Sequence, residues 1–179
     1  MSEFLEQLRK AVGESHVLAG EAIHSDYTHD EALTTVPVVP LALVMPGSTG
    51  EVSEVLKLAG EHSVPVVARG SGTGLSGAAV PVAHGILLAF DRMKQIREID
   101  IENQVAVVEP GVTLEQLNGE LAPLGLIYPV SPGEQSGSLG GNVATNAGGM
   151  RAVRYGVTRQ HVLGLEVVLA DGTVLRTGG

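Results

Sequence analysis

Between Pro65 and Gly77 the chain reads PVVARGSGTGLSG. Arg69 is followed by glycine at 70, 72, 74 and 77, with hydroxyls at Ser71, Thr73 and Ser76 between them. Glycine reaches backbone angles other residues avoid and brings N–H groups close to a ligand with no side chain in the way. Successive N–H groups turned inward make a concave anion site, and a cationic Arg69 is expected at its edge. The chemistry this pattern fits is the holding of a phosphate or pyrophosphate. A bland alternative is a glycine-rich turn that only joins two strands.

A second cluster, Ser136 to Gly149 (SGSLGGNVATNAGG), alternates small residues with amide and hydroxyl side chains. Those side chains both donate and accept, so a flat polar heterocycle could lie against the backbone while its edge atoms find partners. Small residues of this kind equally permit close packing of a short helix. His24, Asp26, His29, Asp30 and Glu31 could in principle ligate a metal, but they lack a metal-site spacing or a recognisable helix. The expectation there is a solvated lead-in loop and no metal. His84 and His161 are the histidines a base would be sought among, and the Arg159-Gln160 before His161 points to a surface or strand-entry role. The chain has no cysteine, which excludes disulfides, thiolate metal sites and a thiol nucleophile, and fits a reducing cytoplasm.

The elements that must position these residues read as α and β in alternation. MSEFLEQLRKAVGE forms a short amphipathic helix with Phe4, Leu5, Leu8 and Val12 on one face; it is too charged for a signal peptide or membrane span. Leu41 to Val44 is a strand, and Ser48 or Thr49 caps a helix to about His62 with Val52, Val55, Leu56 and Ala59 buried. Val64 to Ala68 and Gly85 to Phe90 are strands, and Ile96 to Ile101 pairs with Val105 to Val108 across Glu102-Asn103. Thr113 and Gln116 form a capping box that opens a helix to about Leu121. Leu165 to Ala170 and Thr173 to Arg176 form a hairpin about Asp171-Gly172.

Gly72 to Gly77 matches the G-x-G-x-x-G pattern of a Rossmann dinucleotide site. That reading needs a helix opening within the glycines and a strand ending in an acid about 20 residues on. Ala78-Ala79-Val80 meets Pro81 at once, and the next strand begins near Gly85. A crossover helix takes a connection of at least about 10–12 residues, so the Rossmann reading fails. No Gly-Lys-Ser/Thr exists, so a Walker loop fails too.

At 179 residues the chain is one domain, or a domain with a small appendage, and 44% hydrophobic residues suffice for a core. Its 24 glycines are about double the usual share of about 7%, which fits tight loops around a ligand. A net charge of −9 argues against nucleic acid or an anionic membrane as the main partner.

Four stretches, in this order and at this spacing, resemble the FAD-binding (PCMH-type) domain of the vanillyl-alcohol oxidase / p-cresol methylhydroxylase superfamily. They are PVVARGSGTGLSG, VEPGVT from Val108, SLGGNVATNAGG, and LGLEVVLADGTVLRTGG at the end. Within it the likeness is greatest to the FAD-linked 2-hydroxy acid dehydrogenases, the group of the glycolate oxidase flavin subunit and D-lactate dehydrogenase. The resemblance runs from about Pro40 to the end, and in weaker form back to Tyr27-Thr28-His29-Asp30, with residues 1–39 as an N-terminal helix and lead-in and 40–179 as a partial FAD-binding domain.

The resemblance implies an α+β fold of two small α/β subdomains with FAD between them, incomplete at the C-terminus and lacking the substrate or cap domain. It implies that Arg69, Gly70, Ser71, Gly72, Thr73, Gly74, Leu75 and Ser76 hold the pyrophosphate. Pro110 and Gly111 would line the cleft, and Pro132 and Gly133 would lie beside the flavin. Ser138, Gly140, Gly141, Asn142, Thr145 and Asn146 would follow the ribityl chain and ring, and Val167 would close on the cofactor. Thr73 stands where a histidine attaches flavin covalently in some members, so noncovalent FAD is expected. Ser131 replaces an aspartate common before Pro-Gly. The implied reaction is oxidation of a D-2-hydroxy acid to the 2-oxo acid by hydride transfer to flavin N5. No catalytic residue lies in this stretch, and the fragment alone is expected to bind FAD without turnover. The implied partners are a small 2-hydroxy acid and an iron–sulfur or other electron-transfer subunit; the expected location is the cytoplasm, or the periphery of the inner membrane through such a partner. Two other readings stay open: a sugar or alcohol oxidase of the same superfamily, and a non-catalytic nucleotide-binding subunit.

Overall fold

The computed structural model describes residues 2–178; Met1 and Gly179, the last residue of the expected domain, lie outside it. Helix α1, Ser2–Val12, buries Phe4, Leu8 and Val12, which recur every fourth residue and so share one face. Leu5 is only half-buried. Glu3 in its first turn and Arg9 and Lys10 in its last complement the helix dipole.

Strand β1 (Val17–Leu18) pairs antiparallel with β2 (Ala42–Val44). Helix α2, Thr49–Glu61, follows, with the Ser48 side chain accepting from Glu51 N. Val52, Val55 and Ala59 are buried with Ser53, while Leu56 stays half-buried. Strands β3 (Val66–Arg69) and β4 (Ile86–Ala89) complete a sheet of order β1-β2-β4-β3, in which β2, β4 and β3 run parallel. Every residue of β2 and β4 is buried, as continuous apolar runs are when a parallel strand is covered on both faces. α2 makes the crossover from β2 to β3. The crossover from β3 to β4, residues 70–85, contains no helix, where a parallel connection ordinarily has one. That segment is the glycine loop, which settles the Rossmann question against the motif.

Strands β5 (Ile96–Asp100) and β6 (Val105–Val108) form an antiparallel hairpin. Helix α3, Leu114–Leu121, opens with the Thr113–Gln116 capping box. Its Leu114, Leu117 and Leu121 pack with Val112 and Leu139 into a core that β5 and β6 flank. Helix α4, Leu139–Thr145, lies within the second glycine cluster, followed by the short α5, Ala152–Tyr155. Strands β7 (Leu165–Val168) and β8 (Val174–Thr177) close the described chain as the expected hairpin. The chain forms two compact units, Met1–Arg92 with Gly164–Gly179, and Met93–Leu163. Parallel sheet, separate hairpins and helices together make the fold α+β.

Candidate functional site

In the first unit, β3 delivers Arg69 and the chain then enters the glycine loop. The Arg69 guanidinium is not at the loop's open edge. It is 7% exposed, donating through Nη1 to His29 O (2.5 Å) and through Nη2 to Asp26 O (2.7 Å). Its Cζ lies 5.6 Å from the centre of the Tyr27 ring. Burial pulls its pKa below the ordinary arginine value, and Tyr27, Asp91, Asp30 and Asp26 oppose that shift. A desolvated guanidinium needs acceptors, and the carbonyls of the 25–29 turn supply them. Burial, together with a hydrogen bond to Asp91, also raises the Tyr27 phenol above its ordinary value.

The stretch from Gly20 to Thr35 therefore differs from the solvated lead-in expected. Ile23, Thr28, Asp30 and Ala32 are buried. Asp30 accepts from Ala32 N at 3.1 Å and from Ala79 N at 3.4 Å, and Glu31 N donates to Gly74 O at 3.0 Å. These contacts tie the loop down at its middle, Gly74, and just past its last glycine, at Ala79. Gly72, at φ 76°, lies so close to Arg69 that a Cβ there would fall 2.0 Å from Nη2. Among the described residues, no protein acceptor takes the backbone N–H groups of 71–76. Ser71 and Ser76 are exposed and Thr73 is half-buried. The loop thus offers a run of uncommitted donors on a braced backbone, the requirement for an anion cradle.

The second unit brings its own expected residues together. Gly140 N donates to Pro110 O (2.8 Å), Leu139 N to Val112 O (2.7 Å) and Leu114 N to Gly137 O (3.1 Å), with an antiparallel bridge between Thr113 and Ser138. The VEPGVT and SLGGN stretches are thereby stitched side by side. A Cβ at Gly140 would fall 2.9 Å from Pro110 O, so glycine is required for that approach. Glu109 is 6% exposed and accepts from Gln95 N (2.8 Å) and Arg97 Nη2 (2.6 Å), which anchors the turn at Pro110-Gly111. Its role was not expected; an acid directly before Pro-Gly was the available signal.

Much of the polar chemistry in the second cluster serves α4 itself. Ser138 Oγ accepts from Gly141 N at 3.3 Å as N-cap, and Thr145 Oγ1 donates to Gly141 O at 2.9 Å. Asn146, left-handed at φ 50°, accepts from Arg159 N at 3.0 Å. Thr158, 1% exposed, donates through Oγ1 to Ala147 O at 2.7 Å and fixes the following loop. Asn142 is the exception: it is 7% exposed and its Nδ2 is buried with no hydrogen-bond partner in the protein. Pro132 is half-buried and Gly133 exposed in the same unit, whereas Val167 pairs with Leu175 in the first. His161 Nε2 lies 2.8 Å from Tyr155 O and the ring packs edge-on at 5.7 Å from Tyr128, a structural role. Among the described residues no group of three or more His, Asp or Glu could hold a metal ion, and no helix is long and apolar enough to cross a membrane.

Residues 40–178 match the FAD binding domain family. The chain belongs to that family, in its PCMH-type form, and its cofactor is FAD. It is 55% identical over 179 residues, its whole length, to an uncharacterized FAD-linked oxidoreductase of Mycobacterium tuberculosis, covering 39% of that protein. It is 49% identical to the D-lactate dehydrogenase of Archaeoglobus fulgidus over 137 residues, 76% of this chain and 31% of that one. The glycolate oxidase subunit GlcD of Bacillus subtilis is 42% identical over 97% of this chain and 37% of its own. Among solved structures, p-cresol methylhydroxylase with substrate bound superposes with a TM-score of 0.83 at 29% identity, over 99% of this chain and 35% of that one. The chain thus spans between about a third and two fifths of the length of these relatives.

Proposed function

We propose that this chain is the cofactor-binding part of an oxidoreductase that converts a D-2-hydroxy acid of the glycolate or D-lactate type to its 2-oxo acid. The choice of substrate class rests on the D-lactate dehydrogenases and glycolate oxidase subunits among its relatives. The observation that carries the cofactor assignment onto particular residues is the run of uncommitted N–H groups at 71–76. The buried, unpartnered Nδ2 of Asn142 is the second sign that the residues present fit FAD.

On this reading the amides from Gly70 to Ser76, with the Ser71, Thr73 and Ser76 hydroxyls, hold the pyrophosphate. Pro110-Gly111, Pro132-Gly133 and the α4 residues Ser138 to Asn146 receive the ribityl chain and ring, and Val167 packs on the cofactor. Asn142 supplies a hydrogen-bond donor to it. The chemistry such a cofactor supplies when bound is acceptance of a hydride at flavin N5 from the substrate α-carbon. On this reading attachment is noncovalent, because Thr73 stands where a histidine attaches flavin in some members of the superfamily. No side chain of this chain is assigned to take the hydroxyl proton. Electrons leave to a separate electron-transfer protein.

The test is to purify the chain natively, record its visible absorption and release the chromophore with acid. Yellow protein that yields free FAD bears out the binding of the cofactor and its noncovalent attachment. A colourless protein that takes up no added FAD, or a flavin that stays with the precipitate, overturns the binding or its noncovalent nature respectively.

A further inference from the structure

Arg69 is the only cation among the residues assigned to the pyrophosphate, and its surroundings are those of a support. Two of its guanidinium nitrogens are committed to the carbonyls of His29 and Asp26, from a turn about forty residues earlier in the chain. Tyr27 packs against the guanidinium, and the backbone of Gly72 lies directly on it. With 7% of the residue exposed, little of the guanidinium is open to a ligand. Asp91, Asp30 and Asp26 also interact with its charge and oppose the effect of burial on it. A planar guanidinium can span two carbonyls while presenting a flat face for stacking and close backbone approach. A lysine ammonium, a point charge with three rotatable donors, cannot reproduce that arrangement.

Resting on the pyrophosphate assignment above, we propose that Arg69 is a positioning residue: it binds the cofactor's phosphates through the loop backbone it supports, not through its own charge. The Tyr27 ring and the two carbonyls fix the guanidinium, the guanidinium fixes Gly72, and Gly72 sets the direction in which the 71–76 amides point.

The experiment compares the unaltered chain with Arg69→Lys and Arg69→Met. FAD affinity is measured by flavin fluorescence at low and at physiological salt, and backbone order parameters by nitrogen-15 relaxation without ligand. The expected result is that both variants bind FAD at least about tenfold more weakly and lie within about threefold of each other. Affinity changes with salt in parallel for all three proteins, because no ion pair with the phosphate is lost. Order parameters of residues 70–76 fall from the rigid value of about 0.85 toward 0.6 in both variants, while those of β2 and β4 hold. Near-normal affinity in Arg69→Lys with loss only in Arg69→Met would show a direct charge contact and overturn the proposal. Unchanged loop order parameters would overturn it as well. If the unaltered chain binds no FAD, the pyrophosphate assignment fails, and the order parameters alone decide whether Arg69 holds the loop.

Discussion

A buried amide nitrogen without a partner costs a folded protein about 1–3 kcal/mol, and Asn142 Nδ2 is such a group. Its neighbours along the cluster are satisfied: Ser138, Thr145 and Asn146 each have a backbone partner. The residue types were readable from the sequence as donors and acceptors, but their commitments were not. Caps and back-bonds depend on where α4 begins and ends, and only the fold fixes that. Asn142→Ala removes an unmet donor together with some packing. Its unfolding free energy without cofactor is expected to change by less than about 1 kcal/mol, since the two effects oppose. FAD affinity is expected to fall about three- to tenfold, the worth of one hydrogen bond of about 0.5–1.5 kcal/mol. Chemical denaturation without FAD and titration with it separate the two, and equal affinity would remove Asn142 from the site.

At the scale of elements, the β7–β8 hairpin is secured to α2 by a small number of polar contacts. Ser53 Oγ donates to Gly172 O at 2.6 Å, both residues being buried, and Thr49 Oγ1 donates to Glu166 Oε1 at 2.5 Å. Ser53 sits on the apolar face of α2 between Val52 and Val55, so its hydroxyl has no access to water as an alternative. Ser53→Ala leaves the Gly172 carbonyl unmet and is expected to lower stability by about 1–3 kcal/mol in urea denaturation. A change below about 0.5 kcal/mol would mean the hairpin is held by other contacts. The hairpin itself was legible, because Asp171-Gly172 is a local turn signal, and so were α2, α3 and the β5–β6 pair. Their cues lie within a few residues of one another. The bracing of the glycine loop by Tyr27, His29 and Asp30 was not legible. Those residues read as a polar stretch that the resemblance reached only weakly, and what they contact is the Arg69 guanidinium and the Ala79 amide, some forty to fifty residues on.

At the scale of the whole molecule, the expected cofactor residues divide by unit. Arg69 to Ser76 and Val167 belong to the first, and Pro110 through Asn146 to the second. The family match, the α+β fold and the presence of two subdomains were legible because motif order survives along the chain, whereas the bounds of the units, with 164–178 returning to the first, required the contacts. The division gives the proposed reading a test in which the ligand is taken apart instead of the protein. ADP carries the adenosine and two phosphates of FAD but neither ribityl chain nor flavin ring. Added to nitrogen-15-labelled protein, ADP is expected to shift the amide resonances of 70–76 and leave those of 138–146 in place. FAD is expected to shift both sets. Cofactor that engages both stretches stabilises the native state by mass action, by about 2.7 kcal/mol at a concentration a hundredfold above its Kd. ADP at the same multiple of its own Kd gives the same increment but requires a higher concentration, and the ratio of the two constants measures what the second unit contributes. If ADP moved the 138–146 resonances, or FAD left them unmoved, the flavin end would not lie on α4, and the role of the second cluster would revert to the packing of a short helix.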